Sequence, residues 1–376
     1  MNRLLSLDIL RGLTVFGMIL VNNGAGHEHF YPLTHSAWNG LTPCDLVFPF
    51  FLFMVGVSIP MSSRTDLRRV LWRSIKMFAL GVALHAWDMW IGGKDDILAN
   101  LRIWGVLERI ALCYLAVSVY QYYARKHDWS VKVLWTTIIT LLIGYAILLL
   151  VGNGYAQDET NLACIIDRAL VGEAHLYHKS PIDPEGLLGT LPSIAHTMIG
   201  VYVGLVVKQK ISVNERLLQL FTLASLLLIV GFLLSFGFPL NKRIWSPSYV
   251  LVTCGLAAAL LALLIRFVDN PELSISNSHS SPFTLHSSLF TLHSSLFTFP
   301  SSLFKCFGLN AIALYVLSEA LSPVFWHFNL GGIMTDYLLS IGFTPQFASL
   351  SYALSFDALM ALIAVVMYKA KIFIKL

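Results

Sequence analysis

The sequence predicts an all-α protein, a polytopic integral membrane bundle of about ten transmembrane helices, on three observations. Only 12% of its 376 residues are charged and 56% are hydrophobic, with a mean hydropathy of +0.70; a soluble domain carries about 25% charged residues. Apolar runs of about 20 residues, the length a helix needs to cross a bilayer, recur through the chain. Lys and Arg gather in every second connecting segment, the bias that orients membrane proteins. The lipid bilayer is therefore the first partner. The net charge of +4 is no argument for nucleic acid, because the basic residues sit in short loops between apolar spans.

The runs fall near 6–23, 44–62, 70–90, 104–123, 133–151, 186–208, 215–237, 246–268, 303–325 and 347–370. The first carries Asp8 and Arg11 and lacks a small-x-small cleavage site, so it reads as a span and not as a removable leader. With the N-terminus inside, seventeen Lys and Arg fall on inner segments and six on outer loops. Both termini are then cytoplasmic. The loops 24–42 and 152–185 face outward, which is the periplasm if the membrane is a bacterial inner membrane. The five cysteines form no disulfide framework, and only Cys44 and Cys164 could share the outer side.

Residues 1–376 read as one transmembrane domain with a low-complexity insertion at 274–304. From Ser280 a seven-residue unit repeats almost verbatim as SSPFTLH, SSLFTLH, SSLFTFP, SSLFK. Leu and Phe recur on a heptad, yet the flanking charges of a coiled coil are missing and the segment follows Asp269-Asn270-Pro271. It reads as an expanded repeat in a cytoplasmic loop, which loops tolerate.

The stretch Asn22–Gly56 is a polar loop flanked by apolar spans, and polar groups kept at membrane depth are usually used. His35, in HSAWNG, can take a proton or attack an activated carbonyl; a loop histidine can equally be a surface residue. Asn22 lies close enough to orient that ring or to donate to a developing oxyanion. Asp45 opens the second span and can hold the loop backbone, cap the helix or bind a sugar hydroxyl. Asp8 and Arg11, three residues apart, can pair on one helix face, as an interfacial pair or as an anchor for an anionic ligand. Glu108, Arg109, Glu319 and Asp357 are ionisable groups in spans and need partners. His27, Glu28 and His29 do not have the spacing of a helical metal site, and no metal is expected. In the loop 152–185, Asp183 and Glu185 with Tyr177 and His175 suit a sugar, or simply order the loop.

SLDILRGLTVFGMILVNNGAG followed by HSAWNGLTPCDLVFPFFLFMVGVSI resembles the heparan-α-glucosaminide N-acetyltransferase family. So do RIWGVLERIALCYL, the run from IDRALVGEAHLYH to DPEGLLGTLPSI, PLNKRIWSPSYV, GLNAIALYVLSE and KIFIKL, in the same order over nearly the whole chain apart from the repeat. The resemblance implies a transmembrane acyltransferase fold without the large N-terminal lumenal domain of the lysosomal relative. It implies that acetyl-CoA is taken from the cytoplasmic side and that its acetyl group passes to an amino sugar, at a glucosamine-type amine or a sugar hydroxyl, on the outer side. His35 falls on the family's active-site histidine and Asn22 on its partner asparagine. Asp8, Arg11, Arg73 and Arg109 become the candidates for holding acetyl-CoA, its phosphates drawn by inner arginines such as Arg64, Arg68 and Arg69. Trp38, Asn39, Asp45, Asp183 and Glu185 become the candidates for the acceptor. By analogy with the lysosomal relatives a homodimer is expected. A transporter of a sugar or amino sugar is the alternative from another class; it predicts internal inverted repeats, and none is evident.

Overall fold

A computed structural model describes residues 4–26, 28–62, 66–177, 181–270 and 302–374. His27, Arg64 and most of the 274–304 insertion, including the repeat up to Ser301, lie outside them. All regular structure among the described residues is helical. Each of the ten apolar runs carries a helix: α1 Leu5–Asn22, α2 Val47–Met61, α3 Leu67–Ile91, α5 Val106–Lys126, α6 Val131–Val151, α8 Thr190–Lys208, α9 Val213–Leu234, α10 Pro247–Leu264, the pair α11 Ser302–Leu309 and α12 Ala311–His327, and α14 Pro345–Lys369. Three helices were not anticipated: α4 Ile97–Asn100, α7 Leu162–Val171 and α13 Leu330–Ser340.

Seven of these helices are long and apolar enough to cross a membrane, and an eighth span arises if α11 and α12, bent by 82°, count as one. That is fewer than the ten expected. α3 and α5 have the length but not the apolarity, because Lys76, His85 and Asp88 in one and Glu108, Arg109 and Gln121 in the other dilute it. Glu108, Arg109 and Gln121 are buried against other helices, so hydropathy understates how deeply α5 lies.

Two close crossings set the bundle. Gly200 and Gly204 of α8 lie against the Phe53 and Val57 carbonyls of α2, and Gly56 of α2 lies against the Thr197 carbonyl. A side chain at any of the three would meet backbone, which is the small-residue packing that membrane helices use in place of hydrophobic contrast. Gly12 of α1 and Gly308 of α11 meet the Phe304 and Asp8 carbonyls in the same way. The N-terminus of α1 is closed from far along the chain: Asp269 Oδ1 accepts the Leu5 and Ser6 N–H groups at 3.1 and 3.2 Å. This supplies the acceptor that the first turn of a helix lacks.

Candidate active site

His35 is placed by a loop that is tied down at several of its polar positions. Tyr31–Leu33 forms a 3-10 turn, and Pro43–Leu46 forms a second that leads into α2. Thr42 and Asp45 cap that second turn reciprocally: Asp45 Oδ2 accepts the Thr42 N–H at 3.2 Å and the Thr42 hydroxyl at 3.0 Å. The same oxygen accepts the Ser36 N–H at 3.1 Å, drawing the His35 backbone against the helix start. Gly40 has φ +132, a conformation open to glycine, and its N–H donates to the Leu240 carbonyl at 2.7 Å. The loop is thus clamped to the segment before α10. Its far side is held to α14 by His29 with Ser349 at 2.7 Å and by Gln346 Nε2 donating to Glu28 at 2.5 Å.

The histidine then sits in a defined cluster. Its Nδ1 lies 2.8 Å from Oδ1 of Asp45, whose side chain is fully buried while that of His35 is 52% exposed. Lys242 Nζ is 3.1 Å from Nδ1, 3.3 Å from Nε2 and 3.6 Å from Asp45 Oδ1. The Cys44 thiol is 3.1 Å from Nδ1 and 3.8 Å from Nε2. A group close to both ring nitrogens stands over the ring or against its Cε1 edge, in line with neither lone pair. Asp45 therefore fixes the ring through Nδ1, while Lys242 Nζ and the Cys44 thiol stand beside Nε2 and the half-exposed ring remains open to solvent. A buried carboxylate on one nitrogen of an accessible imidazole is the arrangement that makes histidine a base or nucleophile. Lys242 is held by its own turn: Asn241 Oδ1 accepts the Ile244 N–H at 3.1 Å, and Trp245 adopts φ +53. The Trp245 ring is buried against Phe48, Tyr249 and His196.

The other expected acceptor residues are mostly scaffolding for this site. Asp45 spends both oxygens on the loop, the ring and Lys242, and is not open to a sugar. Trp38 is buried and donates to the Tyr155 carbonyl at 3.1 Å, fastening the loop to the 152–185 segment. Asn39 Oδ1 accepts from Asn241 at 3.1 Å. Asp183 and Glu185 converge on Arg102 at 2.8 and 2.7 Å, and that guanidinium lies 4.8 Å from the centre of the Tyr177 ring. Burial works against the Glu185 charge, but Arg102, with Arg109 and Lys242, outweighs it and holds the carboxyl below the usual range. Asp167 nearby, buried and accepting the Leu187 N–H at 2.8 Å, is pushed up to about 6 by burial. Asn22 is exposed and donates to Glu319 Oε1 at 3.1 Å, so the group that orients His35 is Asp45. Cys44 and Cys164 are both buried free thiols and form no bridge. Among the described residues no three His, Cys, Asp or Glu side chains stand where they could hold a metal ion.

Sequence reasoning missed Lys242 and Cys44. PLNKRIWSPSYV had been singled out as a whole, but nothing local to it marks the lysine, whose partner lies 207 residues away.

At the opposite end of the bundle lies a cavity of about 310 Å³ between α1, α2, α3, α5 and the α11–α12 bend. Its lining is largely apolar, with Phe51, Met54, Met77 and Ile110, and includes Arg11, Arg73 and Arg125. Asp8 pairs with Arg11 at 3.2 Å, Arg73 stacks 4.9 Å from the Tyr114 ring centre, and Arg125 donates to the Pro60 carbonyl at 3.1 Å. Arg109 does not line this cavity. It is buried at the other end of α5, donates to the Gly186 carbonyl at 2.7 Å and stacks on Trp245 at 5.3 Å.

Fold and site together define an integral membrane helical protein with a His–Asp centre at one end and an arginine-bearing cavity at the other. A sequence profile of the heparan-α-glucosaminide N-acetyltransferase catalytic region matches residues 3–232. The mouse heparan-α-glucosaminide N-acetyltransferase is 29% identical over 439 aligned positions, covering 100% of this chain and 61% of that protein. The human enzyme is 30% identical over 328, covering 71% of this chain and 49% of that protein. The chain belongs to this family, and it spans about half to three-fifths of the length of these relatives.

Proposed function

We propose that the protein transfers an acetyl group from acetyl-CoA on the cytoplasmic side to a glucosamine-type amine, or a sugar hydroxyl, on the outer side of a bacterial inner membrane. The observation that carries this reading is the half-exposed His35 ring held through Nδ1 by the buried Asp45 carboxylate. The donor fits the cavity at the other end: Arg11, Arg73 and Arg125 offer cations for its phosphates, and Phe51, Met54, Met77 and Ile110 an apolar wall for the pantetheine arm. The Lys and Arg bias puts that cavity inside and His35 outside. Names of the relatives support the acetyltransferase class, and none of them is a transporter.

His35 Nε2 takes the proton of the attacking amine while its nitrogen bonds to the acetyl carbon and the carbon–sulfur bond breaks; the departing thiolate ends as the thiol of CoA. Alternatively His35 itself receives the acetyl group and hands it on. In both orders Asp45 keeps Nδ1 protonated and the ring aimed. The test is purified protein in liposomes with acetyl-labelled acetyl-CoA and amino-sugar acceptors, followed by mass spectrometry. Labelled sugar that disappears in the correctly inserted H35A protein is the expected result, and label on His35 without acceptor selects the carrier route. Turnover retained in H35A overturns the mechanism.

A further inference from the structure

We infer that Lys242 is a second catalytic residue of this site, the donor that receives the negative charge developing on the acetyl carbonyl oxygen. The inference rests on the acyl-transfer reading above and names a group that reading does not need.

The geometry is that of an oxyanion donor. Such a donor must stand near the base or nucleophile without occupying its reactive lone pair, leaving a place about 3 Å from both where the carbonyl can sit. Lys242 Nζ is 3.3 Å from Nε2 of His35 and 3.1 Å from Nδ1, near-equal distances that put it beside the ring and not in line with Nε2. Its side chain retains 15% exposure, toward the same mouth as the half-exposed ring. The ammonium is held in place by Asp45 Oδ1 at 3.6 Å, a distance that leaves its hydrogens uncommitted to a short bond there. The backbone is built to deliver it: Asn241 is fully buried and bridges Asn39 of the His35 loop to the turn, and the left-handed Trp245 closes that turn. A non-glycine residue held at positive φ costs free energy that packing must offset. The Asn22 carboxamide, the alternative donor for this charge, donates to Glu319 Oε1 at 3.1 Å.

When the acceptor nitrogen attacks, the carbonyl double bond opens onto oxygen. Lys242 donates a hydrogen bond to that oxygen, His35 takes the nitrogen's proton, and the charge returns to reform the carbonyl as the thiolate leaves. No other reactant is required.

The test is K242M and K242R in liposomes across a range of acetyl-CoA concentrations up to saturation, with melting temperatures. K242M should lose turnover by about 10²- to 10³-fold, the loss typical of removing one oxyanion donor. Its KM for acetyl-CoA should stay within about threefold, because the donor acts only on the developing charge. K242R, still a cationic donor, should retain more turnover than K242M. The inference fails if K242M keeps more than about a third of the wild-type rate, or if its loss of turnover is accompanied by an equal rise in KM for acetyl-CoA, since the lysine then serves binding and not the developing charge. A wild-type protein that acetylates no acceptor overturns the acyl-transfer reading itself, and this inference with it.

Discussion

At the His35 end the side chains around the ring hold one another in fixed geometry, with Asp45 reaching the ring, three groups of its own loop and Lys242. At the opposite end a cavity of about 310 Å³ offers apolar wall and three arginines, with little to fix what enters. The first is preorganised and small; the second is roomy and electrostatic. On the proposed function, chemistry that depends on sub-ångström placement falls to the first, and attraction of a large phosphorylated donor falls to the second. Mutations at the two ends should therefore separate rate from affinity.

The largest effect is expected at Asp45. Asp45→Asn keeps the shape of the loop cap but removes the charge that sets the His35 tautomer, and in such Asp–His pairs this exchange costs up to about 10⁴ in turnover. Here a loss of about 10²-fold or more in kcat is expected, with acetyl-CoA affinity unchanged. A D45N protein of near wild-type rate would break the contrast between the ends.

Two arginines sharpen it further. Arg109→Met strips a buried guanidinium from the Gly186 carbonyl and from the Trp245 face, so thermal stability should fall by about 1–3 kcal/mol with no selective loss of donor binding. Arg73→Met should do the reverse, weakening acetyl-CoA about tenfold, or about 1.4 kcal/mol, while kcat at saturation holds. Titration calorimetry alongside melting curves reads both. If R109M loses donor affinity selectively, Arg109 returns to the donor site that the family resemblance implies for it.

The positions of the helices were legible because a membrane span announces itself by local composition, and α1, α2, α6 and α8 to α10 begin within a few residues of where the apolar runs place them. The bend between α11 and α12 was not: Gly308 stands two residues before the break, but a glycine in an apolar run also serves close helix packing, as Gly308 does against the Asp8 carbonyl. His35 was legible as a polar residue in a place that resists polarity. Its partner Asp45 was seen for holding the loop backbone, capping or sugar binding, and the first two hold; its bond to the His35 ring was not, because sequence spacing does not say which way a carboxylate faces. Lys242 and the grouping of Arg11, Arg73 and Arg125 were invisible as a site: each depends on helices far apart in the chain meeting, and the positive-inside bias explains isolated inner arginines without any ligand. Arg109 shows the converse error, a span arginine that holds a loop carbonyl.

The smallest effect concerns the 152–185 segment, where two buried carboxyls are shifted in opposite directions. Glu185, held low against burial by Arg102, adds stability that is present above the usual carboxylate range and lost only as pH falls below it. Asp167, raised to about 6 by burial, does the opposite. Between pH 5 and 7 the folded chain keeps a proton that the unfolded chain has already released, so stability falls as pH rises, by about 1 kcal/mol across that window. Asp167→Asn preserves the acceptor for the Leu187 N–H and removes the titration. The wild type should therefore lose stability relative to D167N on going from pH 5 to 7, and the gap should stop growing above about pH 7 because both states are then ionised. Parallel melting temperatures for the two proteins across that range would show that Asp167 is charged in the fold and paired, and that the segment is bound to the bundle more tightly than its burial alone explains.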